Sequence, residues 1–291
     1  MDIRFVNLNG SLTPYAQANL HINDLGLRRG YGVFDFFRVV RGIPLFLEDH
    51  LDRLEHSAQQ ADLELPFTRS ELGRMMEEVL MANRFEPHQA MGLQIVVTGG
   101  YSEDGFTPLG KPNFMIVPLA VKPINPQLYE SGIKLILHEH LREMPQAKST
   151  AYLTAIRMGK RMRAEGGLEV LYHEGERVLE CARSSLAIIK NNQLITAERE
   201  VLHGITRAQV IKVAQKLLPI ELRDFSLSEL YLADEVFITS SGKGVLAVSQ
   251  IEDQTVGGGH CGPWTRRLME AFKEHVEAYL MNAVSGNVEA R

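Results

Sequence analysis

Apolar positions along this chain follow two periods, and the alternation between them predicts a mixed set of elements. Val33-Phe34-Asp35-Phe36-Phe37-Arg38-Val39-Val40 is dense in β-branched and aromatic residues and reads as a strand ending at Arg41-Gly42. Met91 to Thr98, Asn113 to Ala120, Ile133 to His138, Ser185 to Lys190, Glu235 to Thr239 and Val245 to Ile251 read as further short apolar strands. Asn9-Gly10 sits between two short extended runs as a hairpin turn, and Glu174-Gly175 does the same between Leu168 to His173 and Arg177 to Cys181. Between the strands the period changes to that of a helix. Leu47, Leu51, Leu54 and Ala58 form one stripe over Leu45 to Ala61. Thr68 with Glu71, and Ser226 with Glu229, have the spacing of capping boxes that open helices. Gly204-Ile205-Thr206-Arg207 opens another helix, and Pro263 starts a final amphipathic one. Lys148 stands at the head of a run from Ala147 to about Glu165 that also reads as a helix. Strands and helices are mixed without regular βαβ alternation, which predicts an α+β fold. Val121 to Ser131 holds two prolines and little periodicity. It is the linker expected between a small N-terminal domain, residues 1–120, and a larger one, residues 132–291.

Composition narrows the function class. With 31 Lys+Arg against 36 Asp+Glu, the net charge of −5 lacks the basic footprint of a nucleic-acid binder. Cys181 and Cys261 give neither a disulfide framework nor a metal-binding pair, which fits a reducing compartment. No apolar run approaches the length of a membrane span or a secretory leader, so a soluble cytoplasmic globular protein without membrane contact is expected.

Several positions carry candidate chemistry. A lysine at a helix N-terminus faces the positive end of the dipole, and that setting would favour a neutral, nucleophilic amine at Lys148. Gly204-Ile205-Thr206 offers helix N–H groups and a hydroxyl to an anion. Ser240-Ser241-Gly242-Lys243-Gly244 resembles a phosphate loop superficially. Phe237 stands where a Walker A glycine is required, and Gly244 where Ser or Thr is, so nucleotide binding is excluded. A turn between strands, or a nest for one phosphate, remains. His138 and His140 share a strand face without an evident third ligand, so no metal is expected. Arg53 lies on the polar side of its helix, and Glu180 ends a strand. Singly, each is an ordinary surface or turn residue. Together they supply the parts a pyridoxal 5′-phosphate (PLP) site needs: an amine, phosphate anchors in Arg53, Thr206 and Ser241, and a carboxylate for the pyridine nitrogen.

The order of these pieces resembles the class IV aminotransferases, the fold-type IV PLP enzymes. The resemblance rests on Gly30-Tyr31-Gly32-Val33-Phe34-Asp35, His50-Leu51-Asp52-Arg53-Leu54, Lys148, Glu180, Leu202-His203-Gly204-Ile205-Thr206-Arg207 and Thr239-Ser240-Ser241. It implies a two-domain enzyme with a small α/β domain and a larger domain with a β-barrel-like core. It implies Lys148 as the Schiff-base lysine and proton shuttle. Arg53, Ile205, Thr206, Ser240 and Ser241 would hold the phosphate, Glu180 would pair with the ring nitrogen, and Tyr152 would lie near the cofactor's 3′-oxygen. Tyr31, Phe34 and Gly242 would contact substrate. It further implies a homodimer with the site at the domain and subunit interface.

The chain departs from the family pattern at several points. Ser185 replaces a frequent asparagine five residues after the glutamate, and Asp35 replaces the usual glutamate of Val-Phe-Glu. Tyr152 follows Lys148 one residue sooner than in many branched-chain enzymes. Gln94 aligns where those enzymes often have arginine, and the loop Gly99 to Gly105 lacks the Arg-x-His carboxylate trap of the common D-amino acid enzymes. Arg29, or Arg28 beside it, is therefore expected to bind the substrate carboxylate through a bidentate fork, reaching in from the neighbouring chain. These stretches look most like an atypical D-amino acid aminotransferase subgroup. The activity implied is transfer of an amino group from an amino acid, D favoured, to a 2-keto acid such as 2-oxoglutarate or pyruvate. The alternatives are a branched-chain L-amino acid aminotransferase, an aminodeoxychorismate lyase, or a PLP-binding protein without turnover.

Overall fold

The computed structural model describes residues 3–83 and 90–285. The chain forms two compact units: Met1–Lys122 together with Ala147–Ala151, and Pro123–Gln146 together with Tyr152–Arg291.

The first unit is built on six antiparallel strands in the order β2-β1-β6-β5-β3-β4. Strands β1 (Phe5–Leu8) and β2 (Ser11–Pro14) join through Asn9 and Gly10, whose φ of 52° and 86° are those of a type I′ turn. A short helix α1 (Leu25–Arg29) is capped by the buried Asp24, whose carboxylate accepts from the Gly26 and Leu27 N–H groups. Strand β3 (Gly32–Val40) alternates buried and half-buried positions along most of its length, and β4 (Ile43–Pro44) pairs with its end. Helices α2 (Leu47–Gln60) and α3 (Arg69–Asn83) follow, then β5 (Met91–Thr98) and β6 (Asn113–Ala120). The expected stripe of α2 faces the core: Leu51, Leu54 and Ala58 are buried with Phe37, Leu93, Ile95 and Ile116. Each such large apolar side chain contributes about 1.5–3 kcal/mol on burial. Glu71 of α3 accepts from the Thr68 N–H and hydroxyl, and the Glu71 N–H points back to the Thr68 hydroxyl.

The second unit begins in the stretch expected to be a linker. Helix α4 (Gln127–Ser131) lies there, and Ile124, Leu128 and Tyr129 pack on the unit's core. The two prolines do not mark a loose tether: Pro126 is the N-cap of α4. Then come β7 (Ile133–Glu139), α5 (Leu153–Ala164), β8 (Glu169–Glu174), β9 (Arg177–Cys181), β10 (Ser185–Lys190), β11 (Gln193–Thr196), α6 (Ile205–Ala214) and β12 (Ile220–Leu222). They are followed by α7 (Leu227–Tyr231), β13 (Glu235–Ser240), β14 (Gly244–Ile251), β15 (Gln254–Thr255) and α8 (Pro263–Val284). The sheet runs β12-β11-β10-β13-β14-β7-β8-β9, with β15 on β14. Strands β9 and β10 are joined by only Ala182, Arg183 and Ser184, yet β13, β14, β7 and β8 stand between them in the sheet. A sheet can meet that constraint only by curling round, which gives the barrel-like core. Its interior holds Leu135, Leu171, Val178, Ile188, Ile238 and Leu246, all at 2% exposure or less. Strands β11 and β12 are short, and nothing in the sequence pattern announced them.

Candidate active site

In the first unit the candidate amine, Lys148, does not open a helix. Helix α5 starts at Leu153, with Tyr152 as its N-cap. Instead Ser149 makes an isolated antiparallel bridge to Val33 of β3: the Phe34 N–H donates to the Lys148 carbonyl (2.9 Å), and the Thr150 N–H to the Gly32 carbonyl (2.9 Å). The Thr150 hydroxyl explains the choice, since it bonds the Gly30 carbonyl at 2.8 Å and so competes with helix formation. The dipole argument for Lys148 therefore falls. In its place the Lys148 backbone is pinned from both sides, its N–H donating to the buried Ser57 hydroxyl at 3.0 Å. Its Nζ lies 4.7 Å from the centre of the Phe34 ring, a cation–π contact.

Arg53 is held by a cluster with His50 and Asp35. His50 and Arg53 are three apart on α2 and share a face. Both converge on Asp35 of β3, which has no exposed surface. Arg53 Nε reaches Asp35 Oδ2 and Nη2 reaches Oδ1, both at 2.8 Å, and His50 Nδ1 lies 2.7 Å from Oδ1. A carboxylate only accepts, so His50 Nδ1 carries the proton. Burial raises the Asp35 pKa, but the Arg53 charge and the hydrogen bonds from His50 and Arg53 outweigh it and hold the carboxyl well below the usual range. Burial pushes the His50 pKa down despite the neighbouring carboxylate, so the ring is neutral at pH 7. Aspartate in place of the family's glutamate thus still gives a full counter-ion for Arg53. The bond to Asp35 uses Nε and Nη2, so Nη1 is the donor not spent on it.

The candidate carboxylate ligands rest on the loop after β5. Arg29 Nε donates to the Gly105 carbonyl at 3.0 Å. A side chain on Gly105, whose φ is +78°, would meet the Arg28 guanidinium at 2.7–2.9 Å, so that guanidinium lies flat on the bare glycine. Asp104 stiffens the loop, accepting from the Phe106 N–H (2.8 Å), the Thr107 N–H (2.7 Å) and the Ser102 hydroxyl (2.8 Å). Tyr31 spends its hydroxyl proton on the Ala61 carbonyl at 2.8 Å, which leaves it only as an acceptor for any ligand.

The second unit carries the other set. Glu180, at 6% exposure on β9, accepts from the Leu202 N–H at 3.1 Å and is ion-paired with Arg142. Arg142 also donates to the Pro145 carbonyl. No sequence signal marked Arg142. Thr206 and Ile205 lie in the first turn of α6, whose N-cap Gly204 is extended and has no side-chain cap. The first N–H groups of a helix have no partner within it, so this turn presents donors to an anion. A Cβ on Gly204 would stand 2.6 Å from Ser185 Oγ, so Ser185 and the N-cap occupy one cradle that only glycine fits. Beside it, the buried Thr239 hydroxyl on β13 has no hydrogen-bond partner. Ser240 ends β13, and Ser241 with Gly242 forms the turn to β14. Tyr152 is half-buried at the N-cap of α5. His138 and His140 stack on each other at 6.2 Å, and His140 meets Tyr172 edge-on at 4.9 Å. Among the described residues, no group of three or more His, Cys, Asp or Glu side chains could hold a metal, and no helix is long and apolar enough to cross a membrane.

The comparisons with known proteins define the class. The family model for amino-transferase class IV matches residues 32–251. A D-alanine aminotransferase of Listeria monocytogenes serotype 4b (strain F2365) is 31% identical over 277 residues, covering 93% of this chain and 96% of that protein. A putative branched-chain-amino-acid aminotransferase of Methanocaldococcus jannaschii is 29% identical over 282 residues, covering 92% and 95%. Among solved structures, the Escherichia coli branched-chain amino acid aminotransferase superposes with a TM-score of 0.86 at 24% identity, covering 94% of this chain and 95% of that one. The chain belongs to the class IV aminotransferases and has their fold. It is a transaminase, and its cofactor is PLP. The residues present fit that group: an uncapped helix N-terminus, a glycine-only cradle and an orphaned buried hydroxyl suit an anion, and a buried carboxylate paired with an arginine suits a protonated ring nitrogen.

Proposed function

We propose that this transaminase takes its amino group from a D-amino acid and passes it to a 2-keto acid such as 2-oxoglutarate or pyruvate. The D-alanine aminotransferase likeness supports the choice of enantiomer, because it covers nearly the whole of both chains. The branched-chain relative keeps a branched-chain L-amino acid as the second reading.

PLP, when bound, supplies a carbonyl for the substrate amine and an electron sink for the pair left on Cα. The chain's own groups do the rest. Lys148 Nζ takes the proton from Cα and returns it. Arg53, the first-turn N–H groups at Ile205 and Thr206, and the hydroxyls of Thr206, Ser240 and Ser241 hold the phosphate dianion. Glu180, paired with Arg142, holds the proton on the pyridine nitrogen. Ser185 and Tyr152 bound the ring, and Tyr31, Phe34 and Gly242 contact substrate. Arg28 and Arg29 offer the fork for the substrate carboxylate, and their support on Gly105 favours a preformed site over one assembled on binding. The enzyme acts as a cytoplasmic homodimer.

The observation that carries this reading is the pair of buried, counter-ion-held groups, Arg53 on Asp35 and Glu180 on Arg142, each of the charge its role needs. The test is spectroscopic. The visible absorbance of the PLP-loaded protein is recorded, and D- and L-alanine, glutamate and leucine are added separately. Loss of the band with D-alanine or D-glutamate alone is expected. Loss with L-leucine alone would replace the reading by the branched-chain one, and Lys148→Ala should abolish any response. Size-exclusion chromatography with light scattering should give twice the chain mass.

A further inference from the structure

We propose that Lys243 is a positioning residue for the phosphate anchor: its ammonium clamps the β13–β14 turn to β8 and to the β9–β10 turn, and so fixes Ser241. The inference rests on the assignment of Ser240 and Ser241 to phosphate binding.

The turn is a three-residue loop. Ser240 pairs with Gly244, the Lys243 N–H closes on the Ser240 carbonyl at 3.2 Å, and Gly244 ends the loop at φ +67°. Such a loop is ordinarily a mobile tip. Here Lys243 folds back under it, with its side chain only 12% exposed. Its Nζ lies 2.8 Å from Glu169 Oε1, donates to Ser184 Oγ at 3.1 Å and to Ser240 Oγ at 3.4 Å. Two of the ammonium's three donors thus go to serine hydroxyls, and its charge faces the buried Glu169 carboxylate as an ion pair. Lys243 is therefore held by protein partners of this unit. On the outer side, the Tyr129 hydroxyl donates to the Lys243 carbonyl at 2.9 Å, so both ends of the residue are tied.

The partners say what the clamp is for. Glu169 sits on β8 at 1% exposure, where a carboxylate requires a counter-charge. Arg183, from the turn after β9, approaches the same oxygen at 3.1 Å but is itself 59% exposed, which leaves Lys243 as the enclosed partner. Ser184 follows Arg183 in that turn, and Ser185 follows Ser184 into the cradle under Gly204. One short turn thus touches Lys243 through Ser184 and the N-cap of α6 through Ser185. The loop carrying Ser241 and the helix start carrying Thr206 are referred to the same three residues, which holds the two anchors at one fixed separation. The lysine that made Ser240 to Gly244 look like a nucleotide loop has this use instead.

The test measures dissociation constants of apo-protein by absorbance titration for PLP and for phosphate-free pyridoxal, in wild type, Ser241→Ala, Lys243→Met and Lys243→Arg. A clamp acting through the phosphate predicts that Ser241→Ala and Lys243→Met each weaken PLP about tenfold or more, about 1.4 kcal/mol. Pyridoxal binding should stay nearly unchanged, and Lys243→Arg should recover most of the loss. Equal weakening of PLP and pyridoxal by Lys243→Met would mean a general structural role and would overturn the proposal. So would an unchanged PLP affinity in Lys243→Met while Ser241→Ala loses it, and in that case the phosphate assignment survives. No effect of Ser241→Ala removes the assignment and the clamp with it. Should Lys243→Met fail to fold, Glu169→Gln/Lys243→Met removes both buried charges together and is expected to show the same phosphate-selective loss.

Discussion

Replacing Asp35 by Asn isolates the contribution of the buried counter-ion under Arg53. Asp35 Oδ1 accepts from the Phe36 N–H (2.7 Å), His50 Nδ1 (2.7 Å) and Arg53 Nη2 (2.8 Å), while among the described residues Oδ2 accepts only Arg53 Nε (2.8 Å). The asparagine oxygen will therefore take the Oδ1 place, and its NH2 group will face the Nε–H of Arg53, donor against donor. The charge is lost as well, and the Arg53 side chain is only 10% exposed. Leaving one member of a buried pair uncompensated costs about 3–5 kcal/mol. At about 2–4 °C per kcal/mol for a chain segment of this size, Tm should fall by roughly 6–20 °C. The assay is urea or thermal unfolding of apo-protein for wild type, Asp35→Asn, Arg53→Met and the double variant. The double variant removes the stranded cation, so it should be more stable than the sum of the singles by about 1–3 kcal/mol. Acid adds a second readout. The folded pKa of Asp35 lies below its unfolded value, so the unfolded state binds the extra proton as pH falls. The stabilisation is complete above about pH 4 and is lost progressively below it. The wild-type minus Asp35→Asn difference should shrink from about pH 4 toward pH 3. A cost below about 1 kcal/mol, or additivity in the cycle, would refute the reasoning.

Three other outcomes follow from the same geometry. Glu180→Gln removes the ionised acceptor from Arg142 and the Leu202 N–H, a change of about 1.5–3 kcal/mol for a charged hydrogen bond, so steady-state kcat/KM should drop roughly 10- to 150-fold. Gly204→Ala would put a methyl 2.6 Å from Ser185 Oγ at the start of α6, and PLP affinity by titration should weaken about tenfold. Gly204→Ala/Ser185→Gly should recover only part of that affinity, since the bare glycine vacates the cradle but no longer bounds the ring. Leu54→Ala empties a fully buried position between α2 and the first sheet, and denaturant unfolding should show a loss of about 2–5 kcal/mol.

Much of this molecule is legible from local pattern. The Asn9-Gly10 hairpin, the α2 stripe, both capping boxes and the Asn113–Ala120 strand follow from turn chemistry and periodicity that tertiary contacts do not override. The helix expected at Lys148 fails because periodicity cannot see a hydroxyl's alternative partners: Thr150 bonds the carbonyls of Gly30 and Gly32, and the segment joins a strand more than a hundred residues earlier. Helix α1 escapes notice because five residues, two of them arginines, carry no amphipathic signal. The candidate functional groups were readable because each sits in a recognisable local frame, such as His-x-x-Arg on a helix or a glycine before Ile-Thr. Their partners were not readable. Arg142 reaches Glu180, and Lys243 reaches Glu169, across separations at which one chain offers no correlation to read.

Those partners share one construction. Arg53, Glu180 and Lys243 are each held against a group of opposite charge, and at least one member of every pair is almost wholly buried. Buried ion pairs are poor sources of net stability, since desolvation offsets most of the attraction. Apolar side chains of similar volume would serve the fold about as well. What the pairs provide is direction. Each fixes the orientation of a long, otherwise mobile side chain to within the geometry of two or three hydrogen bonds, and each is anchored at one end to a β-strand. A carboxylate that must sit under a ring nitrogen, or an arginine that must meet a phosphate, gains from such fixing because orientation set before binding is not charged against affinity. The cost falls on tolerance. A conservative change such as Asp35→Asn keeps shape and loses both the charge and the second acceptor, so these positions should resist isosteric substitution more strongly than the apolar core around them.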